Sequence, residues 1–170
     1  MSSKQKMTKD TVPENFTLSL AIIDALPVLF FGGSMILIGL MFSKVLFLTG
    51  AVLCFWAGAA KVIWKIIVVT KKKNIWWMFM QMRIVMPVGF LLMLASVLLN
   101  LKTIKLSVIL SAVTSVPSVI FFAVGIAGMV LMGIFAAKLD SSDVRSNWIE
   151  QITNTAAQAS IFVGILFIMF

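Results

Sequence analysis

The chain of 170 residues contains no histidine and no tyrosine, and it has one cysteine. The absence of histidine excludes imidazole-based metal and haem sites, Ser-His-Asp catalysis and histidine proton relays. A single cysteine excludes an intramolecular disulfide and a CxxC metal or redox pair. Cys54 lies in the middle of an apolar run, and we interpret it as a small packing residue. We therefore expect no metal site and no cofactor.

Acidic residues are also rare, with six Asp and Glu against fourteen Lys and Arg. Only one aspartate, Asp24, lies inside an apolar run, whereas intramembrane aspartyl proteolysis would need two. Asp143, or a serine beside it, is interpreted as a turn or helix-cap residue. These shortages predict that the protein is not an enzyme.

The charged residues are concentrated in the gaps between five long apolar runs. Hydrophobic residues make up 61% of the chain, and the mean hydropathy is +1.11. Each run reaches the ~20 residues that cross about 30 Å of hydrocarbon as an α-helix. The sequence predicts an all-α integral membrane protein, built as a five-helix transmembrane bundle. The predicted spans are about 17–42, 45–70, 76–101, 106–137 and 149–170.

The predicted domain organisation is simple. Residues 1–15 are polar and have nothing to bury, so we predict a disordered cytoplasmic tail. Residues 16–170 are predicted to form a single transmembrane domain. The loops between the runs are too short to hold a further domain, so any function must lie within the bundle or at its surfaces.

The basic residues indicate an orientation. Eleven are predicted on one side of the membrane and three on the other. The eleven are Lys4, Lys6, Lys9, Lys61, Lys65, Lys71, Lys72, Lys73, Arg83, Lys138 and Arg145, and the three are Lys44, Lys102 and Lys105. The positive-inside rule then predicts a cytoplasmic N-terminus and an external C-terminus in the cell membrane. The net charge of +8 favours anionic lipid at the cytoplasmic face. It does not favour nucleic acid, because helices separate the basic residues.

A small group of polar residues lies inside the runs, on four different helices at a similar depth. The group comprises Asp24, Lys61, Lys65, Arg83, Asn154 and Gln158. Ionisable residues within membrane spans are costly and usually face a bundle interior or water. Asp24 is expected to pair with Lys61 or Arg83. The group then predicts a cytoplasm-facing, net-positive site for an anionic solute or lipid headgroup, in a small transport or translocation protein.

An alternative interpretation moves the membrane boundary. If the spans are about 25–42, 45–64, 84–101 and 155–170, Asp24, Lys65 and Arg83 lie in the headgroup zone and Lys61 reaches it from one turn inside. This frame leaves the apolar segments 66–69 and 75–80 outside the hydrocarbon, where a protein partner or a second copy would have to cover them. The alternative function is an accessory subunit of a larger membrane complex.

Local features of the runs predict kinks and close helix contacts. Prolines at positions 27, 87 and 117 each remove one backbone donor from a predicted helix. The spacing of Asn147 and Glu150 is typical of a capping box at the start of the fifth helix. Small residues predict close packing, at Gly32, Gly33 and Gly39, at 57–60, and at Ala123, Gly125, Ala127, Gly128 and Gly133.

Overall fold

Seven α-helices form the regular structure of residues 17–102, 105–139 and 143–170, which are the residues that the computed structural model describes. They are α1 (Leu18–Ile23), α2 (Ala25–Phe42), α3 (Val45–Lys71), α4 (Trp76–Leu99), α5 (Leu106–Thr114), α6 (Ser118–Lys138) and α7 (Val144–Met169). The predicted tail, residues 1–15, lies outside the described residues.

Five helical stretches are long and apolar enough to cross a membrane. They are Leu18–Phe42, Val45–Lys71, Trp76–Leu99, Ser118–Phe135 and Val144–Met169. The predicted all-helical architecture with five such stretches is therefore confirmed for the described part of the chain. Membrane insertion and the direction of the termini stay predictions.

The first stretch contains both α1 and α2, which are separated only by Asp24. Thr17 caps α1, because its Oγ1 accepts a hydrogen bond of 3.2 Å from the Leu20 amide. Pro27 has no amide hydrogen to donate to the carbonyl four residues earlier, so the helical hydrogen bonds are weakened beside Asp24. The break places an aspartate at the junction of two helical segments.

The sequence predicts one helix over 106–137 for the fourth apolar run, and this prediction is wrong. The run forms two helices, α5 and α6, with a break at Ser115, Val116 and Pro117. The break follows from Pro117, which lacks an amide donor and disfavours helical geometry at the residue before it. The helix α5 ends with its C-cap at Ser115, two residues before Pro117, where the backbone is extended with φ −69° and ψ 146°. At nine residues α5 is about 13 Å long, too short to cross a membrane.

The last helix begins earlier than predicted, at Val144, and its N-cap is Asp143. The Asp143 Oδ2 accepts hydrogen bonds of 2.9 Å from both the amide and the hydroxyl of Ser146. These bonds, the backbone one foremost, hold the pKa of the exposed Asp143 carboxyl below its usual value. The interpretation of Asp143 as a cap is confirmed, whereas Asn147 lies inside the helix and the predicted capping box at 147–150 is wrong.

The long helices pack as an open arc in the order α4, α3, α2, α7 and α6. Within the described residues α4 and α6 form the two ends of the arc and do not pack against each other. The short helix α1 packs against α3 and α7, and α5 packs against α6 and α7. One core cluster, Phe47, Ala51, Cys54 and Met93, lies between α3 and α4. The helices also have two ends along their axes, and the one at which α3 ends and α4 begins is called the Lys71 end.

Small residues allow close crossings of α3 with α4 and of α6 with α7. A Cβ atom on Gly50 of α3 would lie 2.5 Å from the carbonyl oxygen of Gly89 in α4. The Cys54 thiol is fully buried beside this crossing and donates to the Met86 carbonyl at 3.6 Å. At the α6–α7 crossing, a Cβ on Gly128 would lie 2.6 Å from that of Ala157. The predicted close contact at Gly128 is confirmed, and so is the packing role of Cys54. The prediction of a close contact at Gly133 is wrong, because a Cβ there would meet no atom of the described residues within 4 Å.

The α3–α4 crossing yields a stability prediction. Gly50→Ala should destabilise the fold by about 1–3 kcal/mol, the usual cost of overpacking, because its new methyl group meets backbone atoms of α4. The matched control is Gly133→Ala in α6, where a Cβ meets no atom within 4 Å. Thermal unfolding in a mild detergent measures both variants. Equal unfolding temperatures for Gly50→Ala and wild type would contradict the observed crossing.

Candidate functional site

A buried ion pair joins the α1–α2 junction to α3. The Lys65 ammonium lies 2.6 Å from the Asp24 Oδ2, and the two side chains are 9% and 13% exposed respectively. Leu20 and Val68, each almost fully buried, lie one turn from these residues along their own helices. Burying two charges is costly unless they are paired, so the contact strongly constrains the position of α1 on α3.

The partner of Asp24 differs from the expected one. The sequence predicted Lys61 or Arg83, whereas the structure places Lys65 there. Lys65 lies one helical turn, about 6 Å, closer to the Lys71 end than Lys61. No salt bridge to Lys61 or Arg83 occurs within the described residues.

Lys61 and Arg83 both line a groove between α3 and α4, with a volume of about 610 Å³. The groove volume lies within the range of ~300–1,000 Å³ that is common for small-molecule sites. Lys61 comes from α3, and the other lining residues lie on one face of α4. They are Phe79, Met82, Arg83, Met86, Pro87 and Phe90. This groove is the candidate site.

An aromatic cluster connects the two helices beside the groove. Phe79 lies with its ring centroid 5.0 Å from that of Trp64 in α3 and 5.4 Å from that of Trp76. Its ring also lies 5.3 Å from the guanidinium carbon of Arg83, a cation–π contact. Arg83 is otherwise exposed. The cluster therefore positions the arginine without neutralising it.

Hydrogen bonds fix the start of α4 against α3. The Trp64 indole donates to the Asn74 side-chain oxygen at 3.0 Å, across the turn that contains three exposed lysines, Lys71 to Lys73. The Gln81 amide donates to the Ala57 carbonyl, also at 3.0 Å. The two contacts limit sliding of α4, so Lys61 and Arg83 keep their relative depth.

The two neutral polar residues of the predicted group lie elsewhere. Gln158 in α7 is buried and donates to the Met129 sulfur in α6 at 3.3 Å. Asn154 is half-buried in α7. Neither residue lines the groove. The six predicted residues thus separate into the Asp24–Lys65 pair, the Lys61–Arg83 groove and a polar stripe on α7.

Sequence reasoning missed the apolar lining of the groove. The positions 79, 82, 83, 86, 87 and 90 have the spacing of one helical face, and Arg83 belongs to that face. The spacing could have been found in the sequence. It does not distinguish a face that meets lipid from one that lines a groove. Within the described residues, no cluster of three potential metal-ligating side chains occurs.

Comparison with known proteins identifies no relatives. The chain matches no protein-family model, no curated protein and no solved structure. The geometry of the groove and of the ion pair is therefore the basis for a functional proposal.

The ion pair yields a second stability prediction. Asp24→Asn and Lys65→Met should each destabilise the fold by up to about 3–5 kcal/mol, because each breaks a buried ion pair. The double variant should be closer to wild type than either single variant, since it leaves no charge behind. Thermal unfolding in mild detergent measures the stability of wild type, the two single variants and the double variant. The control is Lys71→Met, at an exposed position. Single variants as stable as that control would show that the pair does not hold α1 on α3.

Proposed function

We propose that this chain is a multi-pass protein of the cell membrane that binds an anionic solute or lipid headgroup in the α3–α4 groove and acts in its transport or translocation. One observation carries the proposal. Lys61 and Arg83 line the same groove, and neither forms a salt bridge within the described residues. Two cations that face one groove attract an anion.

The membrane setting is supported by length and composition. Five helical stretches can cross the hydrocarbon, and many large apolar side chains on α4 and α6 are exposed. Such side chains are stable in lipid and would be unfavourable in water. The excess of basic residues near the Lys71 end favours a cytoplasmic position for that end. The ligand would then enter from the cytoplasmic side.

The depth of the two cations supports a functional role. Lys61 lies about 15 Å along α3 from Lys71, and Arg83 lies about 10 Å along α4 from Trp76. Cationic side chains at such depth are costly in a membrane. A bound anion would lower that cost, as Asp24 does for Lys65. Asp24 therefore acts as a structural partner in this proposal, and Lys61 and Arg83 act as the ligand contacts.

A second candidate function is an accessory subunit of a larger membrane complex. The observation that favours it is the open arc, in which α6 forms an end and exposes Gly133 with no neighbour within 4 Å of its Cβ position. Small residues on an exposed face permit another helix to approach closely. A stoichiometric protein partner that co-purifies in mild detergent would favour this function over transport.

Anion binding is tested with the variant Lys61→Gln/Arg83→Gln. The probes are inorganic phosphate and dioleoyl phosphatidic acid, and native mass spectrometry with calorimetry measures their affinity. Each charged hydrogen bond is worth about 1.5–3 kcal/mol, so the double variant should lose about 100-fold or more in affinity for a probe that both residues contact. The matched control is Lys71→Gln/Lys72→Gln, which removes two exposed lysines of the α3–α4 turn.

Two outcomes decide this test. The proposal is contradicted if the groove variant, folded as judged by its unfolding temperature, binds both probes like wild type. It is also contradicted if the turn control loses as much affinity as the groove variant, because the effect would then be general surface attraction. Translocation itself is measured in vesicles that contain fluorescent phosphatidic acid. Wild type, but not the groove variant, should accelerate its exchange between leaflets.

A further inference from the structure

The lining of the α3–α4 groove is chemically uneven. Lys61 and Arg83 are its cationic residues, and the other five are apolar: Phe79, Met82, Met86, Pro87 and Phe90. A small oxyanion could contact the two cations, but it would leave most of the wall without a partner. An apolar wall is stabilised when an apolar group covers it.

The apolar wall extends beyond the cations towards the middle of the helices. Phe90 lies seven residues, or about 10 Å, from Arg83 in the direction away from the Lys71 end. Met86 and Pro87 lie between them on the same face. A ligand with its charge at Arg83 would therefore have its apolar part directed towards the membrane centre. This is the direction of a lipid molecule in the leaflet at the Lys71 end.

The groove is accessible from the side of the bundle. Helix α4 is an end of the arc and packs its backbone only against α3 among the described helices. Pro87 is exposed, and Phe90 is 46% exposed although its ring lies 5.8 Å from that of Phe31 in α2. An acyl chain could enter between Met82 and Phe90 without displacing a helix.

The cations fit a phosphate group. The planar guanidinium of Arg83 can donate two parallel hydrogen bonds to phosphate oxygens. Arg83 is exposed, and it forms no salt bridge within the described part of the chain. Lys61 supplies a compact second charge from the opposite helix. Because the two residues line one groove, both can contact the same phosphate.

From these observations we infer that the ligand of the groove is an anionic phospholipid, with its phosphate between Lys61 and Arg83 and one acyl chain along Met82, Met86 and Phe90. The inference rests on the proposed anion-binding function, and it names the ligand class of the same site. It requires the apolar wall to contribute to affinity, which simple anion binding does not.

The test compares dioleoyl phosphatidic acid with glycerol 3-phosphate, which carries the same headgroup without acyl chains. Wild type should bind the lipid at least tenfold more tightly. Met82→Ser/Phe90→Ser should lower the affinity for the lipid about tenfold or more relative to the affinity for glycerol 3-phosphate, because it removes two large apolar contacts. The matched control, Ile84→Ser/Leu91→Ser, changes two exposed residues of α4 outside the groove and should leave both affinities unchanged.

A second measurement does not depend on the folding of a variant. Phosphatidic acid with a photoreactive group in its acyl chain is cross-linked to wild type, and mass spectrometry locates the modified residues. Modification should concentrate on Met82, Met86 and Phe90. Equal modification of Ile84 and Leu91, which are 67% and 63% exposed, would overturn the inference.

The results separate the inference from the proposed function. If Lys61→Gln/Arg83→Gln abolishes binding while Met82→Ser/Phe90→Ser does not change lipid affinity, the lipid inference is wrong and anion binding stands. If glycerol 3-phosphate binds as tightly as the lipid, the inference is wrong in the same way. If Lys61→Gln/Arg83→Gln binds phosphatidic acid and glycerol 3-phosphate like wild type, the anion-binding proposal and the lipid inference both fail.

Discussion

The ion pair between Asp24 and Lys65 is the interaction on which the charge arrangement of this protein depends. Its two side chains are about nine-tenths buried, and either one alone would be a costly buried charge. The pair therefore fixes the α1–α2 junction on α3. The pair also occupies the Asp24 carboxylate, for which the sequence predicts Lys61 or Arg83 as the partner. Within the described residues, Lys61 and Arg83 therefore have no carboxylate partner, and an anionic ligand could pair with them.

The contacts between α3 and α4 differ along the two helices. At one level Gly50, Gly89 and the small side chain of Cys54 allow the two backbones to approach closely. Towards the Lys71 end, the rings of Trp64 and Phe79 stand between the same helices, with centroids 5.0 Å apart. Lys61 and Arg83 line the groove beside these contacts, together with apolar residues on one face of α4.

Much of the fold could be predicted from the sequence, because apolar runs of membrane-spanning length have few other stable structures. The cap at Asp143 was also predictable from its residue type. The break at Pro117 was not predicted, although a proline inside the run was visible, because a proline can kink a helix or end it. The capping box predicted at Asn147 and Glu150 is wrong for a related reason, since the same residue pattern also occurs inside helices.

The candidate site was less predictable for a geometric reason. A rise of 1.5 Å per residue gives the depth of a side chain, but not the direction in which its helix is rotated. Depth alone placed Lys61, Lys65 and Arg83 near Asp24, and Gln158 near all of them. Rotation decides that Lys65 meets Asp24 and that Gln158 meets Met129 instead. The apolar wall of the groove was hidden because lipid-facing residues have the same composition.

The most direct test of the central claim is the distance from Arg83 to the phosphate of a bound lipid. The chain contains two arginines, Arg83 and Arg145, so an Arg145→Gln variant with ¹⁵N-labelled arginine reports on Arg83 alone. Solid-state NMR in a phosphorus-free detergent with one equivalent of phosphatidic acid measures its coupling to ³¹P. We predict a nitrogen–phosphorus distance of about 4 Å, as in a direct charge-assisted hydrogen bond. A bound lipid with no measurable coupling to Arg83 would contradict the account.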